Sequence, residues 1–146
     1  MEENLRRLLM KELGKGEVDL RTYSPLTYAF LGDAVYSLLI RSLTVADGNR
    51  PANKLHQDSS KLVCAAAQAA ALDAILPFLD EEEQRICRRG HNSNPVHHTR
   101  SASMEDYLKA TALETLFGYL YLQDRTERIV ELLKIGVEAQ KGTGKQ

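Results

Sequence analysis

The chain has only two cysteines, four prolines and nine glycines in 146 residues, and its 19 basic side chains nearly cancel its 20 acidic ones. Each shortage removes a class of protein. Cys64 and Cys87 form no CxxC motif and have no partners at metal-ligand spacing, which leaves no cysteine-held metal. Both fall in apolar, helical-looking stretches, where a cysteine is ordinarily a small buried hydrophobe, as in a reducing compartment. So little proline and glycine, beside 43% apolar and 27% charged residues, excludes a collagen-like or disordered chain. The longest apolar runs, 62–67 and 69–72, are far too short to cross a membrane. The start, Met1-Glu2-Glu3-Asn4, lacks the basic and apolar regions of a signal peptide. The expectation is a soluble, cytoplasmic protein with no membrane partner. A net charge of −1, taken as an average, also counts against a nucleic-acid partner.

What the chain does have is helical periodicity and enough length for one core. Folding at this size removes roughly two-thirds of the unfolded surface from water, so one domain needs no staple. Leu26, Phe30, Leu31, Ala34, Val35, Leu38 and Leu39 recur at three- and four-residue steps between Pro25 and Val45. Ser24 suits the N-cap and Pro25 the first helical position, while Asp47-Gly48-Asn49 ends the helix. A short helix through Leu55 follows, then a longer one from about Ser59 to Ile75. Asp80 to Glu83 suit the acidic first turn of a helix reaching about Arg89. The Gly, Asn, Ser and Pro residues clustered between Gly90 and Ser103 read as a loop. Ser103 with Asp106 resembles a capping box for a helix to about Leu122, and Asp124 caps a last one through Ile129, Leu132, Leu133 and Val137. No alternating strand pattern or repeat occurs. The prediction is an all-α fold, with residues 1–19 as an N-terminal helical extension, 20–140 as the main domain and 141–146 as a disordered tail.

The average charge hides its distribution. From Gln84 to Met104 there are four arginines (Arg85, Arg88, Arg89, Arg100), three histidines (His91, His97, His98) and no acid. Guanidinium groups bind phosphate bidentately and release counterions, so this segment suits a polyanion. The plainer alternative is a solvated loop whose arginines pair with the acids of 80–83. A zinc site is disfavoured, because adjacent His97 and His98 diverge and no cysteine or carboxylate lies at ligand spacing.

Two acids stand in helices that otherwise read as core. Asp33 sits in Ala29-Phe30-Leu31-Gly32-Asp33-Ala34-Val35-Tyr36 and Glu114 in Ala112-Leu113-Glu114-Thr115-Leu116-Phe117-Gly118-Tyr119. A lone acid there is costly unless paired, hydrogen-bonded or coordinating a cation. Two resolutions stay open: local ion pairs, Asp33 with Arg41 and Glu114 with Lys109, or a hard cation such as Mg²⁺. Gly32 and Gly118 each lie within a turn of an acid and allow a neighbouring helix to approach. Tyr23, Tyr28 and Tyr36 add apolar surface beyond what one small core readily absorbs.

These motifs resemble a known family. Phe30-Leu31-Gly32-Asp33-Ala34-Val35 resembles the signature helix of the ribonuclease III family, and Leu113 through Leu122 (LETLFGYLYL) resembles its second acidic helix. A narrower resemblance is to the short bacterial Mini-ribonuclease III subfamily, which has no double-stranded-RNA-binding domain after the catalytic one. Arg89-Gly90-His91-Asn92 is similar to that subfamily's Arg-Gly-Arg-Asn loop, and Lys54-Leu55-His56 through Ala65 to Gln68 is similar as well. The resemblance covers about residues 20–135.

It implies a ribonuclease III-type helical endonuclease domain acting as a homodimer. The implied reaction is Mg²⁺-dependent cleavage of double-stranded RNA, leaving 5′-phosphate and 3′-hydroxyl ends. The implied substrate is precursor 23S ribosomal RNA, with a large-subunit ribosomal protein able to assist. Carried onto this chain, Asp33 and Glu114 are the catalytic acids and metal ligands, and Arg88, Arg89, His91, Asn92 and Arg100 contact RNA. Thr111, one turn before Glu114, is placed to hold a water of the metal. Full-length members carry further acids where this chain has Ala29 and Thr111, and the Mini form is similarly reduced. Those absences keep a second reading open: a catalytically silent RNA-binding or ribosome-assembly factor on the same fold. His91 in place of the loop's second arginine keeps a donor but makes its charge pH-dependent.

Overall fold

Helix α6 (Ala102–Leu122) is the centre of the molecule because it is apolar around almost its whole circumference. From Ala110 to Leu120 every residue except Glu114 is buried. The structure, a computed structural model, describes residues 4–93 and 102–143. Around α6 lie α1 (Leu5–Glu12), α2 (Pro25–Ala46), α3 (Ala52–Val63), α4 (Ala65–Ile75), α5 (Glu81–Asn92) and α7 (Thr126–Thr143). Single 3₁₀ turns occupy Leu20–Thr22 and Leu76–Phe78. The all-α expectation is met among the described residues.

Helices α2, α4 and α5 pack directly on α6, while α3 leans on α2 and α7 on α4. Leu113, Leu116, Phe117 and Leu120 fill the space between them, each contributing about 2 kcal/mol of burial. Tyr28 and Tyr36 do not form the surplus apolar surface expected of them. Both are buried in edge-to-face contacts, Tyr28 on Tyr119 and Tyr36 on Phe117, with ring centroids 5.3 and 5.2 Å apart. The exposed apolar face of α2 lies instead at Leu26, Phe30, Leu38 and Val45.

Ser24 caps α2, accepting the Thr27 N–H at 3.3 Å with Pro25 at the first helical position, as its sequence predicts. With 22 residues and a mean hydropathy of 1.4, α2 is long and apolar enough to span a membrane, which short-run inspection misses. A third of that stretch is buried, along the face packed on α6, and Asp33 stands near its middle.

Several boundaries differ from expectation, each for a local reason. One helix runs from Ala52 to Val63, and the break falls at Cys64, whose backbone is extended before α4 starts at a 48° bend. Cys64 is therefore exposed, and only Cys87 is the buried hydrophobe. Helix α5 continues through Gly90, His91 and Asn92, which were expected in a loop. Asp80 and Glu83 form its capping box, but Glu83 is buried, its carboxylate taking Arg128 of α7 at 2.7 and 2.8 Å. The Arg128 hydrogen bonds hold the Glu83 carboxyl below its ordinary value. Helix α6 begins at Ala102, so Ser103 lies in its first turn rather than ahead of it. Helix α7 runs to Thr143, so the first residues of the expected disordered tail are helical.

Asp124 does not cap α7. Its backbone is left-handed, at φ 58°, and its carboxylate anchors the N-terminal helix. Arg6 and Arg7 donate to it at 2.7 Å and Asn4 at 2.9 Å. Burial would raise the Asp124 pKa, but these donors prevail and pull it down to about 2. The Arg125 carbonyl, not Asp124, accepts the Ile129 N–H at 3.1 Å.

Among the described glycines the closest packing joins α2 to α6. A methyl group added at Gly32 would stand 1.7 Å from the Glu114 carbonyl oxygen, and one at Gly118 would stand 1.9 Å from that of Tyr28. Both obstacles are backbone, so neither helix can yield locally. Gly118→Ala is expected to destabilise the fold by about 3 kcal/mol or more, roughly 10 °C in melting temperature. Gly16→Ala, with nothing within 4 Å, is the control expected to change little. Thermal melts followed by circular dichroism check this, and equal melting of the two variants would mean the helices do not cross at that point.

Candidate active site

The glycine crossing determines where the two unusual acids emerge. Asp33 follows Gly32 on α2, and Glu114 lies one turn before Gly118 on α6. With the backbones in contact, the two carboxyl groups come within hydrogen-bonding reach of each other. Burial, then the hydrogen bond and charge of Asp33, push the Glu114 pKa from 4.5 up to about 8. Near neutral pH the free acid pair therefore holds on to a proton that the two carboxyls share.

Among the described residues no cation neutralises the pair. Lys109, the expected partner of Glu114, reaches Asp73 of α4 at 3.1 Å instead. Among the described residues neither Arg41 nor any other basic side chain forms an ion pair with Asp33 or Glu114. Two converging carboxylates without a counter-charge are a donor set suited to a hard divalent cation, which would relieve their repulsion by displacing the proton. Thr111 is buried on the same helix, and its hydroxyl donates to the Tyr107 carbonyl at 3.0 Å. Ala29 is also buried, so both positions that hold extra acids in larger relatives lie in tight packing here.

A second glycine seats the basic helix. A methyl group on Gly90 would stand 2.4 Å from Thr115 Oγ1, the residue after Glu114. With Ile86, Cys87 and Gly90 turned inward, Arg85, Arg88, Arg89 and Asn92 are left together on the exposed face of α5. The acids of 80–83 do not neutralise that face. Glu83 is taken inward by Arg128, Glu82 accepts the Tyr119 hydroxyl, and only Arg85 forms a pair, at 3.8 Å from Glu82. Arg88 and Arg89 have no ion pair among the described residues. His91 stands apart from them, half-buried, its Nε2 3.1 Å from Glu105 of α6 and its Nδ1 3.1 Å from Asn92 Oδ1. Arg100, His97 and His98 lie outside the described residues. Arg85 belongs to the basic segment of the sequence but not to the RNA contacts that the resemblance implies, and its four-residue spacing from Arg89 is the signal that places them on one face. The Glu105 contact joins residues 14 apart and leaves no local signature.

A model of the ribonuclease III domain matches residues 26–125, which include both acids and the whole of α5. The chain belongs to the ribonuclease III family. Within the family it falls in the Mini-ribonuclease 3 branch of endoribonucleases. A Mini-ribonuclease 3 of Thermoanaerobacter sp. (strain X514) is 44% identical over 115 residues, covering 79% of this chain and 81% of the relative. That of Brevibacillus brevis is 42% identical over 111 residues, covering 76% and 83%. A crystal structure of a Fusobacterium nucleatum protein matches with a TM-score of 0.74 at 35% identity, covering 84% of this chain and 99% of that one. The ribonuclease III region leaves out α1 and the whole of α7, so the acid pair and the basic helix lie in the shared part.

The raised Glu114 pKa has a stability consequence of definite sign. Between pH 4.5 and about 8 the folded protein holds a proton that the unfolded chain has released, so stability falls as the pH rises through that window. Without divalent cations, Glu114→Gln should melt higher than wild type at pH 8.5, with the gap closing by pH 5. Parallel melting curves for the two proteins across that range would show that the carboxyls are not coupled.

Proposed function

We propose that this endoribonuclease cuts double-stranded RNA as a Mg²⁺-dependent homodimer in the cytoplasm, and that its substrate is the paired ends of precursor 23S ribosomal RNA. The observation that carries the reading is the uncompensated acid pair at the helix crossing. Asp33 and Glu114 would hold the Mg²⁺ ion. When bound, the ion supplies a Lewis acid that lowers the pKa of water and offsets charge on a phosphodiester.

The chain's own side chains do the rest. Glu114 gives up its proton as the site is filled, so it enters the reaction as a carboxylate beside Asp33. Arg88, Arg89 and Asn92 bind backbone phosphates from the open face of α5, and Arg85 extends that face by one turn. His91, in the last turn of the same helix, would add a donor once RNA draws a ring nitrogen away from Glu105 or Asn92, and Arg100 follows in the segment beyond. Thr111 has committed its hydroxyl proton to the Tyr107 carbonyl, so toward a water it can only accept. A-form RNA hides its base edges in a deep groove, so these residues read shape, phosphates and 2′-hydroxyls rather than sequence. One short cationic face gives weak, salt-sensitive binding, which favours help from a large-subunit ribosomal protein.

The exposed face of α2 supports the dimer. Phe30 is 82% exposed, Leu38 63% and Val45 61%, a stripe that water disfavours. At its far end a cavity of about 390 Å³ is lined by Val45, Ala52 and Leu55, among others. A projecting aromatic and an apolar hollow on one stripe make it self-complementary, which a two-fold interface requires. Each protomer would then cut one strand.

The test is cleavage of a labelled duplex RNA with and without Mg²⁺. Asp33→Asn should stay dimeric, bind the duplex and lose activity by more than the roughly 100-fold that an outer-shell substitution costs. Phe30→Glu should sediment as a monomer and cut neither strand. Full activity in Asp33→Asn would reject the site, and a dimeric Phe30→Glu would reject the interface. A wild-type protein that binds duplex without turnover in Mg²⁺ or Mn²⁺ would instead be the silent factor.

A further inference from the structure

Tyr107 lies seven residues before Glu114, which returns it to nearly the same face of α6, about 20° away and about 10 Å back along the axis. It is 44% exposed on a helix whose following turns are buried. Between the two residues stands Thr111, one turn from each, whose hydroxyl is turned back onto the Tyr107 carbonyl at 3.0 Å. The Tyr107 phenol has no hydrogen-bond partner among the described residues. It is thus an exposed phenol, without an intramolecular partner among the described residues, on the face of α6 that carries Glu114.

We propose that Tyr107 is a substrate-contacting residue. Its phenol hydrogen-bonds the sugar–phosphate backbone of the strand being cut, on the nucleotides that flank the scissile bond, and its ring packs on the adjoining ribose. The inference rests on the double-stranded-RNA nuclease reading above. The arginines of α5 supply charge, which counts phosphates but does not distinguish sugars. A neutral phenol serves the other purpose, since the 2′-hydroxyl, both donor and acceptor, separates RNA from DNA at a given position. Such a contact supplies no counterion release, so removing it leaves the salt dependence of binding unchanged.

The experiment compares wild type, Tyr107→Phe and Tyr107→Ala on a cleavable RNA duplex. Partner duplexes carry either 2′-deoxy sugars or methylphosphonates at the two nucleotides flanking the scissile bond. Tyr107→Phe should melt like wild type and lose about fivefold in kcat/KM, the worth of one neutral hydrogen bond, mainly through KM. Tyr107→Ala should lose more, as the ring contact goes too. One modified duplex should cost wild type the same factor and cost Tyr107→Phe nothing further. Non-additivity on the deoxy duplex assigns the contact to a 2′-hydroxyl, and on the methylphosphonate duplex to a phosphate oxygen. Unchanged kcat/KM in Tyr107→Phe, or losses that multiply on both duplexes, overturns the proposal. Failure of wild type to cut the unmodified duplex would instead overturn the nuclease reading on which it stands.

Discussion

The structure depends on one close approach, the backbone contact of Gly32 on α2 with Gly118 on α6. At either position a single methyl group would overlap a carbonyl oxygen of the other helix. The contact does two things at once. It brings two long apolar helices near enough for Tyr28, Tyr36, Phe117 and Tyr119 to interlock, and it carries Asp33 and Glu114 to the same place. Asp33 is exposed rather than in the core its sequence setting suggests, and Glu114 is half-buried; this pair, which would move apart in a looser bundle, is held together by packing elsewhere along the helices. The core stabilises an arrangement that the acids alone would undo, which is a familiar relation between fold stability and a functional site.

The two signs of charge are then kept apart by the same device. Gly90 seats α5 on Thr115, next to Glu114 in sequence, and turns Arg85, Arg88 and Arg89 outward. The acids that open α5 would cancel this face if they shared it. Glu83 is drawn into the interior by Arg128, and Glu82, which takes the Tyr119 hydroxyl, pairs with Arg85 alone among the described arginines of that face. A chain with a net charge of −1 thus keeps an acidic pair and a cationic surface apart.

Much of this was legible in the residues, because it is written in short-range patterns. Helical periodicity, the Ser24-Pro25 start and the glycines beside acids all act within a turn or two, and α2, α6 and the Asp33–Glu114 site follow from them. What stayed illegible depends on contacts far apart in sequence. Nothing near Glu83 announces Arg128, 45 residues on, and nothing near Asp124 announces Arg6, 118 residues before it. Asp124 looked like a helix cap for that reason. The loop expected from Gly90 to Ser103 does not begin at Gly90, because glycine there serves packing against Thr115 and α5 runs on to Asn92; residues 94–101 lie outside the described residues. The expected ion pair of Lys109 with Glu114 failed because Asp73 of α4 offers a partner that only the fold brings close.

The central claim is that the crossing holds Asp33 and Glu114 as one cation site whose free form carries a proton. Calorimetric titration of the protein with Mg²⁺, repeated in buffers of different ionisation enthalpy at pH 7 and pH 9, counts the protons released on binding. The account predicts release of about one proton per Mg²⁺ at pH 7 and almost none at pH 9, with tighter binding at the higher pH. Binding that releases no proton at pH 7, with the same affinity at both values, would contradict it.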